Sequence, residues 1–210
     1  MTSPIDLFLG GAQTVVDALS DSRVGQAWDQ PSVLEEQSVG GLAGHLARGV
    51  WVVGEYVHAG TPTAPVDFSS AAEYFVFFAE TAQAEDHRAI RRRGAAVAAK
   101  GWHGVGEELA SRLEVMSGAL TSLPPDRLVT VIGGKVMALG DYLLTRVVEQ
   151  AVHLDDLARS IGAASWTLPD GHEAAALCIG LETARLRRGT GALLRAMYRR
   201  GFADCALPAF

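Results

Sequence analysis

Arg146, Glu149, His153 and Asp156 follow one another at three- and four-residue intervals in "LLTRVVEQAVHLDDLARS", residues 143–160. On a helix such intervals share one face. A carboxylate and an imidazole then stand side by side, with a guanidinium one turn before them and a second carboxylate one turn after. At 100° per residue, Leu143, Leu144, Val147, Val148, Ala151, Leu154 and Ala158 form an apolar stripe. Tyr142, Arg146, Glu149, Gln150, His153 and Asp156 lie opposite it. Two readings are open: a solvated face held by side-chain pairs worth about 0.2–0.5 kcal/mol each, or half of a metal site.

A second segment, "VGGLAGHLARGVWVVGEYV", bears on the choice. His45 shares a helical face with Leu42, Gly49, Val52 and Tyr56 and so points toward the interior. A lone interior histidine is more often a core residue bonded to a neighbour than a ligand. It still needs a polar partner, because leaving a buried polar group unpaired costs about 1–3 kcal/mol. Gly49 removes a side chain one turn along, where a cleft has room to open. In a bundle, His45 can meet Glu149 and His153 around one ion. Two nitrogens, one carboxylate oxygen and an open position are the ligand set of a catalytic zinc.

The elements that must position these residues are helical. Ser3 and Pro4 begin a helix that runs to about Leu19, and residues 21–37 read as a linker. Ser38 caps a second helix to about His58, and "AGTPTAPVDFSS" is a loop. A third helical region covers roughly 70–121, with breaks expected near Gly101 and Gly104. "LVTVIGGKVMAL" reads as a small hairpin around Gly-Gly. The metal-face helix then spans about Gly140 to Ser160, and a last helical region covers 171–200, interrupted at "RRGTG". Four long helices with one long connection predict an all-α bundle. No dinucleotide or P-loop fingerprint has the strand–turn–helix context it needs.

The chain has 210 residues, 49% hydrophobic and 20% charged, enough for one good core. Its net charge of −6 argues against nucleic acid or an anionic membrane as the main partner. The N-terminus lacks a basic region followed by an apolar core, so no secretory signal is expected. The most apolar stretch carries His45, Arg48 and Glu55, so no membrane span is expected there. Cys178 and Cys205 make neither a disulfide framework nor a C-x-x-C pair. A cytoplasmic protein is the expectation.

With these residues in view, "GLAGHLARG" resembles the L-x-x-H-L helix of the DinB/YfiT-like metalloproteins. Arg146, Glu149, His153 and Asp156, as R-x-x-E-x-x-x-H-x-x-D, resemble the later metal-binding helix of its mycothiol-dependent maleylpyruvate isomerase branch. "WDQPSVLEEQSVGGLAGHL" is similar to that branch as well. The resemblance covers roughly residues 5–165 and implies a DinB-like four-helix bundle over 1–165. Residues 166–210 look like a helical extension packed on the bundle, where the isomerase carries an α/β domain.

The resemblance implies a divalent ion, usually zinc, held by His45, Glu149 and His153, with mycothiol as the thiol cosubstrate. The activity implied is an isomerase or thiol S-transferase acting on a small electrophile. A DinB-like protein that binds a metal or thiol conjugate without turnover is the alternative. Asp156 is placed to accept the other N–H of His153, and Arg146 to anchor a substrate carboxylate. An exposed ion pair of little energetic weight is the plain alternative for both. The basic run "HRAIRRRG" at 87–94 reads as a solvated face, with a cleft mouth as the second reading. His58, His87, His103 and His172 lack a matching partner in their stretches. Tyr74, Phe75 and Phe78 have helical spacing, read as core ahead of a homodimer contact.

Overall fold

In the computed structural model, residues 2–199 are described. Nine helices are found among them, together with one two-stranded hairpin. Four of them form the bundle: α1 (Pro4–Ser20), α3 (Val39–His58), α6 (Gly101–Leu120) and α7 (Leu139–Ser160). They close a square in which α1 packs on α6 and α7, and α3 packs on the same two. The core between them is built from fully buried Phe8, Leu19, Leu42, Leu109, Leu143 and Leu154. Cys205 and the end of the last predicted helical region lie outside the described residues.

Local chemistry sets the helix starts. Ser3 Oγ accepts from Asp6 N–H, Pro4 opens the first turn of α1, and Ser38 Oγ accepts from Gly41 N–H at the start of α3. The linker expected over 21–37 contains a single short turn of helix, α2 (Ser22–Gln26). Its later part serves α3 directly: Gln30 and Trp28 carbonyls accept from the N–H groups of Val39 and Gly40. Trp28 lies over Gly40, where any Cβ would meet the indole at 2.7 Å.

The long connection from α3 to α6 departs from expectation in one respect. Instead of one helical region broken near Gly101 and Gly104, it forms α4 (Ala71–Thr81) and α5 (Ala84–Ala98) before α6. The break at Gly101 is present, with φ of +75°. Gly104 lies inside α6, and the additional break falls at residues 82–83. There Gln83 N–H donates to Asp86 Oδ2, a cap that starts α5 without glycine or proline.

The hairpin is present as β1 (Leu128–Thr130) and β2 (Val136–Ala138), antiparallel, with Val129 opposite Met137. Gly133 and Gly134 have φ of +72° and +73°, which only glycine adopts without strain. The hairpin leads straight into α7. Beyond α7, α8 (His172–Arg188) packs on α7 and α4, and α9 (Thr190–Tyr198) packs on α8. No helix among the described residues is long and apolar enough to cross a membrane.

Candidate metal centre

α3 and α7 cross in the bundle, and His45 meets the polar face of α7 at the crossing. His45 Nε2 lies 3.3 Å from Glu149 Oε2, and His153 Nε2 lies 3.6 Å from the same oxygen. The two imidazole rings stand edge to face at 4.9 Å between centroids. One ligand atom from each of His45, Glu149 and His153 falls within 4.8 Å of the other two. Their side chains are 22%, 28% and 20% exposed. That polar face is therefore withdrawn from bulk water but reachable from one side, which the solvated-face reading does not accommodate.

The histidine tautomer is set from behind. His153 Nδ1 lies 3.0 Å from Asp156 Oδ2, so that nitrogen donates to Asp156 and Nε2 is left facing Glu149. Burial works against a charged His153, yet the hydrogen bonds to Asp156 and Glu149 outweigh it and raise its pKa to about 9. For Glu149, burial alone would favour the neutral acid. Hydrogen bonds from His153 and His45, with the nearby Arg146 charge, instead hold the carboxyl well below its ordinary range. The group is an anion between two imidazoles, which is the electrostatic preparation a divalent cation needs.

Arg146 lies one turn before Glu149, with its guanidinium 5.1 Å from the Tyr142 ring centroid and Nε donating to Thr145 Oγ1. It faces a cavity of about 450 Å³ that is lined by two of the candidate ligands, His45 and Glu149. α3 contributes His45, Arg48, Gly49, Val52 and Tyr56 to this cavity. Helix α4 adds Tyr74, Phe75 and Phe78, α5 adds His87, Ile90 and Arg93, and the hairpin adds Ile132. A Cβ at Gly49 would meet nothing within 4 Å, so the missing side chain there is open space.

Several residues prove to sit differently from the pattern reading. Tyr142 and Gln150, placed on the polar side of α7, are 2% and 3% exposed, because α7 is covered by neighbours on both sides. Gln150 Oε1 pairs with Nε2 of fully buried His172 at 3.0 Å, and its amide donates to Phe8 O. Of the basic run 87–94, His87, Ile90 and Arg93 line the cavity, while Arg88, Arg91 and Arg92 pair outward with Glu85, Glu36 and Glu85. Tyr74 and Phe75 are buried cavity wall. His58 caps its own helix on Gly54 O, and His103 stacks on Trp102.

Arg48 went unread as a cavity residue, whereas Tyr74, Phe75 and Phe78, read as core, belong to the core or pack against it and also wall the cavity. The signal for Arg48 was its place one turn beyond His45 on the same helix.

The model of the family "Mycothiol maleylpyruvate isomerase N-terminal domain" matches residues 11–158. The chain belongs to this family. The matched span contains His45, Glu149 and His153 together with Arg146 and Asp156, and ends before α8. No curated protein and no solved structure matches the chain. The family name carries mycothiol with it, and the all-α bundle is the architecture of this DinB-like family.

Proposed function

We propose that the protein is a metal-dependent enzyme that uses mycothiol as a thiolate against a small electrophile, as an isomerase or an S-transferase. The observation that carries this reading is the convergence of His45, Glu149 and His153 beside a cavity of about 450 Å³. The donor set fits a divalent ion: two imidazole nitrogens and an ionised carboxylate from two helices, with room on the cavity side. Zinc is the proposed ion, since nitrogen and oxygen donors in threes leave it a free position.

A bound zinc would lower the pKa of a thiol so that it is held as thiolate at neutral pH. The chain's own residues do the rest. Asp156 fixes the ring of His153, and Glu149 carries the negative charge that offsets the ion. Arg146, fixed against Tyr142 and Thr145, anchors an anionic group of the electrophile. Val52, Tyr74, Phe75 and Phe78 keep water from the reacting sulfur. Thiolate chemistry of that kind would serve either addition to a double bond followed by elimination after rotation, or displacement of a leaving group.

The test is the zinc-reconstituted full chain with mycothiol and either maleylpyruvate or 1-chloro-2,4-dinitrobenzene. Turnover with one of them above background, abolished in His153→Ala at unchanged helicity, is the expected result. Equal rates for wild type and variant with both substrates would remove the catalytic assignment.

A further inference from the structure

Arginines on α5 that face outward lie beside carboxylates: Arg88 and Arg92 on Glu85, Arg91 on Glu36. Arg48, Arg93 and Arg146 behave otherwise. Each is half-buried, each lines the cavity, and none has a carboxylate within 4.0 Å among the described residues. Arg146 is at least fixed by Thr145 and the Tyr142 ring. Arg48 and Arg93 make no hydrogen bond or ion pair with the described residues.

All three arginines line the same cavity. Tyr56 lies among them, and although burial raises the pKa of its phenol, Arg146, Arg48 and Arg93 each pull it back. They come from three helices, and the approach of α5 to α3 is unusually close. A Cβ on Gly94 would sit 2.7 Å from Gly41 O, and one on Gly44 would sit 2.3 Å from Gly94 O. This glycine contact holds Arg93 beside the Arg48 face of α3. Glu149 is the one carboxylate among the lining residues, so three positive charges face one negative charge on a chain of net charge −6. The remaining wall is Val52, Phe75, Phe78, Ile90 and Ile132 with tyrosine rings, which suits an apolar body.

We propose that this cavity binds an amphipathic organic acid, an apolar ring-bearing body ending in a carboxylate, whose carboxylate is held by Arg48 and Arg93 together with Arg146. The acid is the electrophilic substrate class of the site, and in that role the inference rests on the metal–thiol reading above. The binding itself depends on the cavity lining from α3, α4, α5, α7 and the hairpin, and not on the ion. Half-buried cations without partners among the described residues favour an anionic ligand, which supplies a counter-charge. The apolar wall discriminates against small hydrophilic anions, which leave that surface wet.

The test is calorimetric titration of the full chain, metal-free and zinc-loaded, with 4-phenylbutyrate, its uncharged amide, and acetate. The acid binds one per chain in both forms, the amide binds about tenfold or more weakly, and acetate does not bind measurably. Arg48→Gln and Arg93→Gln each weaken the acid about tenfold and leave the amide unchanged, while Phe78→Ala weakens both. Arg93→Lys, a milder change on the half-exposed helix, recovers part of the loss. Equal affinity for acid and amide, or wild-type affinity in both glutamine variants at unchanged melting temperature, would overturn the proposal. Acid binding in a protein that takes up no zinc would refute the metal–thiol reading alone. Zinc uptake without selectivity for the acid would refute this inference alone.

Discussion

At the scale of single residues, the candidate centre is organised around Glu149, whose Oε2 is approached by both His45 and His153. The pair on α7 was legible because i and i+4 spacing forces neighbours onto one face whatever the surroundings. His45 was legible as an interior imidazole in need of a partner. Its partner's identity rested on the resemblance, since spacing on one helix says nothing about another helix 104 residues away. Asp156 adds an orientation that a bare ligand list omits. Asp156→Ala removes the acceptor that fixes the His153 tautomer. It should weaken zinc affinity about 10–100-fold with little change in helicity. Competition against a chromophoric chelator measures this, and an unchanged affinity would show that Asp156 does not orient the ring.

At the scale of elements, the site depends on where glycine lets backbones approach and where it leaves space. Gly44 and Gly94 do the first, bringing α5 onto α3. Gly94→Ala would place its Cβ against Gly41 O and the Cβ of His45, contacts that backbone cannot yield cheaply. A destabilisation of about 1–3 kcal/mol is expected, read as a lower urea midpoint at unchanged m-value. Gly49 does the second. Gly49→Leu meets nothing in its first atom and gains helix propensity of about 0.8 kcal/mol. The variant should melt no lower than wild type yet lose 4-phenylbutyrate binding, because the new side chain fills the cavity. Binding at wild-type strength would mean that the cavity is not the ligand site.

The helices α1, α3 and α7 were legible from capping residues and 3.6-residue periodicity. The α4–α5 break was not, because it lies at Ala82 and Gln83 with no glycine or proline to mark it. The two helices made by that break form much of the cavity wall, so the pocket was hidden for the same reason.

At the scale of the whole molecule, α8 is joined to the bundle through His172. This side chain is fully buried, with Nε2 paired to Gln150 and Nδ1 without a hydrogen-bond partner among the described residues. Gly11 makes the junction possible, since a Cβ there would lie 2.2 Å from Gln150 Oε1. Nothing in the sequence pattern joined positions 11, 150 and 172, because only packed helices bring them together. Burial pushes the His172 pKa from 6.5 down to about 4. The unfolded chain therefore binds the extra proton between those values. Stability contributed by neutral His172 is full above pH 6.5 and is lost as the pH falls toward 4. By pH 5 the loss is on the order of 2 kcal/mol. Urea unfolding at pH 7.5 and 5.0 should show this loss in the wild type and a smaller one in His172→Phe. An equal loss in both would place the acid sensitivity elsewhere.

We propose a division into a metal-binding bundle over 1–165 and an extension over 166–210, whose described part, to residue 199, packs on α4 and α7 and is joined at this buried histidine. The account as a whole stands on His45, Glu149 and His153 holding one divalent ion. Zinc content after dialysis against chelator and reconstitution tests it most directly. About one zinc per chain is predicted for the wild type, with none retained by His45→Ala or His153→Ala of unchanged helicity. A wild type that retains no zinc, or variants that retain as much as it does, would contradict the account.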